Sequence, residues 1–244
     1  MRPNGYVRGF TLCVGVSLGV LLPLRGALAQ DEQGDVVPEI WVDYNPSYAL
    51  TPKLDLYGDI GLRTELESGG WWRFVLRPNV RYDVSNAVIV AGGIGSFYTW
   101  NENMADRWEI RPWQGVTLTW PRNPLVIQQV VRLEERFDFD TRTWESLSSL
   151  RFRYRLRLSK RWETYFRPDQ YWQALGSIEF FARLAGNEGQ SQEQIRVTAG
   201  VERSYPPEWR GRVEVTWQKA GLFLTEGSFS EVFLRLRVFQ KWLP

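Results

Sequence analysis

From Lys53 onward the chain alternates between apolar and polar side chains, residue by residue, in runs of mostly ten to fifteen residues. Leu54, Leu56, Ile60 and Leu62 alternate with Asp55, Tyr57, Asp59 and Arg63. Trp72, Phe74, Leu76, Val80 and Tyr82 alternate with Arg73, Arg77, Asn79, Arg81 and Asp83. The purest case sets Leu150, Phe152, Tyr154, Leu156 and Leu158 against Arg151, Arg153, Arg155 and Arg157. A period of two sorts side chains onto the two faces of a β-strand and makes no stripe on a helix. Past the first thirty residues no stretch carries a 3.6-residue period, so the sequence predicts an all-β chain.

Twelve such runs can be marked, near residues 39–50, 53–64, 71–84, 87–100, 107–120, 124–138, 145–159, 161–168, 176–185, 193–205, 209–220 and 228–242. Breakers such as Thr51-Pro52, Ser68-Gly69-Gly70, Ser85-Asn86, Pro121-Arg122-Asn123 and Pro206-Pro207 separate them. The runs exceed the usual strand of about 5–6 residues and suit the roughly 9–11 that a tilted strand needs to cross a bilayer. No linker or change of compositional regime interrupts residues 30–244, which predicts one domain. The alternation fades around residues 169–192, and the first, third, fifth and seventh connections are the short ones. Strand count, at ten to twelve, and loop orientation are therefore left open.

Residues 1–29 have the layout of a secretory leader. Arg2 and Arg8 precede an apolar run from Gly9 to Leu22, and Ala27-Leu28-Ala29 forms a small-x-small cleavage site before Gln30-Asp31-Glu32-Gln33. The apolar run is shorter than the ~20 residues of a spanning helix, so cleavage after Ala29 is expected. Arg2, Arg8, Arg25 and the single Cys leave with the leader, and 27 Lys+Arg then face 28 Asp+Glu. An exported chain without cysteine cannot rely on disulfides. No later segment is apolar enough for a transmembrane helix.

The chain has no His. That removes Ser-His-Asp and Cys-His nucleophilic sites, His-ligated zinc and the commonest acid–base group near neutral pH. Ser148, Ser149 and Ser159 have no visible base, and Glu134 and Glu135, adjacent in sequence, face opposite sides of a strand. No enzyme, cofactor or metal is expected. With a net charge of +2 there is no basic field for nucleic acid.

Alternation alone does not say which face meets water. Three features favour an outer-membrane barrel, with its apolar set toward lipid and its polar set in the lumen. Aromatic residues gather near run ends, at Trp41, Trp71, Trp72, Trp100, Trp108, Trp120, Trp144, Trp162, Trp209 and Trp242, as two interfacial girdles require. The runs are long and regular. The polar face is dense in Arg and Glu, which pair across a narrow lumen. The fold expected is a closed antiparallel up-and-down transmembrane β-barrel. The other reading is a soluble periplasmic β-barrel that binds an apolar ligand.

The middle strands carry a resemblance. Residues 109–114 read Glu-Ile-Arg-Pro-Trp-Gln, 132–137 read Arg-Leu-Glu-Glu-Arg-Phe, and the Arg-rich run Leu150 to Leu158 follows. This succession resembles an uncharacterised family of bacterial exported barrels, known only as a domain of unknown function, with E-x-R-x-W-Q, R-x-E-x-R-F and R-x-R-x-R strands. The resemblance implies an outer-membrane β-barrel in a Gram-negative bacterium, with no established activity. The matched positions are Glu109, Arg111, Gln114, Arg132, Glu134 and Arg136.

On strand parity, Glu109 with Arg111, then Arg132 with Glu134 and Arg136, then Arg151, Arg153, Arg155 and Arg157, each share a face, and modest offsets would set carboxylates opposite guanidiniums. Gln114 falls on the other parity from Glu109 unless Pro112 introduces a bulge. The candidate site is thus a lumen charge network, either structural or forming a narrow channel that favours anions. Expected partners are outer-membrane lipid, the barrel-assembly machinery and a small anionic solute, with the chain a monomer.

Overall fold

The computed structural model describes residues 36–66, 70–122, 124–164, 167–186, 193–221 and 229–242. The expected leader at 1–29 and the expected cleavage after Ala29 lie outside these. All the described regular structure is β: β1 (Val36–Thr51), β2 (Leu54–Tyr57), β3 (Ile60–Glu65), β4 (Trp71–Leu76), β5 (Asn79–Ser85), β6 (Val88–Asn101), β7 (Arg107–Arg122), β8 (Leu125–Asp140), β9 (Ser146–Thr164), β10 (Arg167–Gly186), β11 (Gln194–Tyr205), β12 (Trp209–Ala220) and β13 (Phe229–Trp242).

These thirteen segments make eleven staves of one closed barrel. β2 and β3 are one stave and β4 and β5 another, because the register runs through both interruptions unchanged: Ser47↔Tyr57 continues as Tyr44↔Ile60, and Leu54↔Tyr82 as Ile60↔Leu76. The interruptions fall where Pro46 and Pro78 remove ladder donors. Backbone bonds still bridge the gaps, from Gly58 N to Pro46 O at 2.8 Å and from Arg77 N to Asp59 O at 2.8 Å. Neighbouring staves are antiparallel in sequence order, and β13 closes the barrel on β1 in parallel, from Val36↔Ser230 to Tyr48↔Trp242. That one parallel pair follows from an odd number of staves.

The sequence reading differs over residues 161–186. The run at 161–168 is no separate strand: β9 continues to Thr164 and β10 starts at Arg167, which brings twelve runs down to eleven staves. β10 lost its visible alternation because apolar Leu175 and Phe181 occupy its inward positions while Ala174, Gly176 and Ala182 occupy outward ones. The odd count also explains the loop lengths. The strand ends separated by two or three residues (Thr51/Leu54, Ser85/Val88, Arg122/Leu125, Thr164/Arg167 and Tyr205/Trp209) collect at one end of the barrel, together with Trp242. Those separated by five to eight residues (Glu65/Trp71, Asn101/Arg107, Asp140/Ser146, Gly186/Gln194 and Ala220/Phe229) collect at the other.

The barrel is polar within and apolar without. Buried side chains include Glu39, Asp43, Asn45, Arg63, Glu134, Arg151, Glu179, Glu202 and Arg212, whereas Val42, Leu62, Phe74, Val80, Val131, Leu158, Val215 and Leu236 are exposed on the outer face. Gly61 shows how tightly the inside is filled, since a Cβ there would lie 2.3 Å from Asp43 Oδ1.

Exposed tryptophans mark both ends. Trp72, Trp100 and Trp144 stand at the long-loop end, with Trp72 paired to Trp100. Trp120, Trp162, Trp172, Trp209 and Trp242 stand at the short-turn end, with Trp162 paired to Trp172. Trp41 and Trp71, grouped by sequence with these ends, share the inward parity instead. Trp41 is buried, and the Arg73 guanidinium lies 4.6 Å from the Trp71 ring centre.

Candidate functional site: a lumen crossed by arginine–carboxylate pairs

β7, β8 and β9 turn Glu109, Arg111, Arg132, Glu134, Arg136, Arg151, Arg153, Arg155 and Arg157 into the lumen. Their register aligns residues of like parity, Glu134 beside Arg151 and Arg132 beside Arg153. Glu134 is the hub. It accepts from Arg151 Nε at 3.0 Å and from Arg151 Nη2, and has Arg132 Nη1 and Arg153 Nη1 at 3.5 Å and Arg111 Nη1 at 3.7 Å. At 1% exposure this carboxylate has exchanged its hydration for four guanidiniums. Glu109 holds a second knot, accepting from Arg111 Nε at 2.8 Å and from Arg136 Nε and Nη2 at 2.7 and 3.1 Å. The planar fork of Arg136 grips that carboxylate bidentately.

Gln114 does not join them. No bulge forms at Pro112: Ile110↔Phe137 and Trp113↔Glu134 lie on one unbroken register. Gln114 therefore stays on the outer face, exposed, near Leu133, Glu135 and Leu150. Glu135, one residue from the hub, faces outward with it.

Several members of the network were not picked out from sequence. Glu179 on β10 takes Arg153 Nη2 at 2.6 Å, Arg196 Nη1 at 3.4 Å and Arg155 Nη1 at 3.5 Å, so Arg153 bridges two carboxylates. Glu202 takes Arg212 Nε at 2.9 Å and Arg210 Nη1 at 3.4 Å, and Arg212 Nη1 reaches Glu214 at 3.1 Å. Asp43 pairs with Arg235 and Asp59 with Arg77 across the β1–β13 seam and the interrupted staves. The signal that would find them is parity carried around the whole sheet: Ser177 and Glu179 alternate with Ile178 and Phe180, and Arg235 and Arg237 with Leu234, Leu236 and Val238.

A second layer was also missed, being aromatic on a face expected to be polar. Trp41, Phe97, Phe181 and Phe233, from β1, β6, β10 and β13, are all buried within the barrel. Trp41 and Phe233 stack at 3.9 Å and 11°. Guanidiniums interleave with the rings: Arg63 lies 3.8 Å from the Trp41 centroid, Arg111 4.2 Å from Phe97, and Arg196 5.0 Å from Phe181 and 5.3 Å from Phe233. Such contacts strengthen when desolvated. The rings and ion pairs pack into the lumen on the long-loop side of a cavity of about 450 Å³, which Phe233 helps to line. Among the described residues, no cluster of three His, Cys, Asp or Glu side chains is arranged to hold a metal ion.

The chain belongs to the family described as "Protein of unknown function (DUF2490)", which matches residues 39–221, from β1 through β12. No curated protein matches it.

Proposed function

Proceeding from that membership, we propose that this chain is a non-enzymatic β-barrel of the outer membrane of a Gram-negative bacterium. In this reading it is exported by a leader cleaved after Ala29 and inserted as a monomer by the barrel-assembly machinery. Its lumen is a narrow, charged passage barred by arginine–carboxylate pairs.

The observation that carries the reading is the inversion of the sheet. Val42, Leu62, Phe74, Val215 and Leu236 are 37–48% exposed, while Asp43, Glu134 and Glu202 are at 1% or below. A water-soluble domain distributes these residue types the other way and rarely exposes contiguous apolar surface beyond a few hundred Å². Lipid against the outer face removes that cost. The tryptophans at both ends support the same reading, because amphipathic rings sit at membrane interfaces. On the stave of β4 and β5, exposed Trp72 and Tyr82 are ten residues apart. At ~3.3 Å per residue and a tilt of ~40° that spacing rises about 25 Å, the height of an outer-membrane apolar band. Short periplasmic turns are the rule in such barrels, so the short-turn end with Trp242 faces the periplasm.

The soluble alternative requires the Leu, Phe and Tyr face to surround an apolar ligand. Val131, Tyr154 and Leu156 share the outward parity, and the inward positions beside them are Val130, Arg132, Arg153, Arg155 and Arg157. The membrane reading is tested by fractionation and unheated gel migration. Recovery in the outer-membrane fraction, heat-modifiable mobility and quenching of Trp fluorescence by brominated lipid are expected. Recovery as a soluble periplasmic protein overturns it.

A further inference from the structure

The lumen cavity is lined by eleven arginines, no lysine and three carboxylates, Asp59, Glu179 and Glu214. Each of these carboxylates is already engaged, by Arg77, Arg153 and Arg212 respectively. Asp43, Glu134 and Glu202, just behind the lining, also pair with Arg235, with Arg132 and Arg153, and with Arg210 and Arg212, so eleven guanidiniums face six carboxylates and the cavity keeps a net positive charge. Along β9 the excess is concentrated at Arg155 and Arg157, whose Nε atoms are buried without a hydrogen-bond partner. Arg155 has only a 3.5 Å approach to the Glu179 carboxylate, which Arg153 holds at 2.6 Å. Arg237 across the lumen donates to the neutral Asn45 Oδ1 at 3.1 Å. A buried donor left unmade is costly, and Arg155, Arg157 and Arg237 all line this one cavity, where an acceptor brought from outside would meet their guanidiniums.

The wall adjoining β9 is of another kind. Register places Val130 beside Arg155, Thr117 beside Val130, Ile89 beside Thr117, and Gly115 between Ala91 and Arg132. Ile89, Ala91, Gly115, Thr117 and Val130 thus form an uncharged patch on β6–β8, directly abutting the guanidiniums of β9. With about 450 Å³, the cavity is in the size range of small-molecule pockets, ~300–1,000 Å³.

We propose that this cavity is a binding site for a small organic phosphate. Its phosphate oxygens pair with Arg155, Arg157 and the facing arginines, and its uncharged body lies on the Ile89–Ala91–Val130 patch. A phosphate carries close to two charges and matches guanidinium forks bidentately. The proposal rests on the reading of the lumen as a solute passage and adds the ligand class to it. Because the Trp41–Phe233 layer lies on the long-loop side, the site is a chamber on the short-turn side of the bar.

The test is calorimetric titration of the purified mature chain in detergent micelles with phenyl phosphate, inorganic phosphate and phenol. Saturable binding is expected for phenyl phosphate, weaker binding for inorganic phosphate, and none for phenol. Arg155→Gln/Arg157→Gln removes two like charges and weakens phenyl phosphate binding by about tenfold or more. Val130→Glu, which supplies an internal carboxylate beside Arg155, weakens it as well. No saturable binding, equal affinity for the two phosphates, or affinity unchanged in both variants would overturn the site. The two readings fail separately. A heat-modifiable outer-membrane protein that binds neither phosphate refutes the site alone, while a soluble protein that binds phenyl phosphate refutes the membrane reading and leaves the site standing.

Discussion

Glu134 and Glu135 are neighbours in sequence with opposite surroundings, and the difference comes from strand parity alone. Glu134 balances guanidiniums from Arg111, Arg132, Arg151 and Arg153. Removing one partner from a buried ionic cluster leaves uncompensated charge, at a cost of about 3–5 kcal/mol. Glu134→Gln keeps the shape and loses the charge, so urea unfolding in micelles or vesicles should show a loss of that size. Glu135→Gln, on the outer face, should stay within about 0.5 kcal/mol. A Glu134→Gln protein as stable as wild type would remove the hub from this account. Parity told from sequence that the two glutamates diverge, and grouped Glu109 with Arg111 and Arg132 with Glu134 and Arg136. Alternation alone did not say which face is inward, because both arrangements give the same pattern; the aromatic run ends, the run lengths and the density of Arg and Glu pointed to a polar interior, where Glu134 lies. Gln114 tested the point sharply: only a bulge at Pro112 would have brought it inside, and the register runs straight through.

Among the elements, most strands were legible because their inward and outward sets differ cleanly in polarity. β10 was not, since its inward face mixes Gln173, Ser177 and Glu179 with Leu175 and Phe181. The neighbouring β9 was cut short for a related reason, its last turn of alternation around Arg161 and Trp162 reading as a new strand. That single miscount hid the odd number of staves, and with it the parallel pairing of β1 with β13. Bacterial outer-membrane barrels ordinarily have even counts, which sets this seam apart, and its register has a direct cross-linking test. Val42 and Leu236 are paired across it and both are exposed. Residues 30–244 contain no cysteine. A Val42→Cys/Leu236→Cys protein should form an intramolecular disulfide on mild oxidation, whereas Val42→Cys/Val232→Cys, displaced by four residues along β13, should not. The reverse pattern would mean a different closing register.

At the scale of the whole molecule, a layer of rings and guanidiniums lies across the lumen. Trp41 and Phe233 are stacked, with guanidiniums packed against their rings. Wild-type protein in planar bilayers is expected to pass no large steady current. Trp41→Ala/Phe233→Ala should admit a current selective for anions, as rings of arginine favour. An open wild-type pore, or cation selectivity in the double variant, would contradict the arrangement. The parallel seam has a further consequence for how the chain can be rewired. In a barrel with an even number of staves, the first and last strands finish at the same rim, and a short linker joins them so that the sequence can be reopened elsewhere. Here Val36 pairs with Ser230 at one rim and Trp242 with Tyr48 near the other. A circular permutant would need a linker as long as the wall is tall, passing through the lumen or along the outside. The order of strands in this barrel cannot be rotated by closing a short turn; β1 and β13 are fixed as its two edges by geometry as much as by translation.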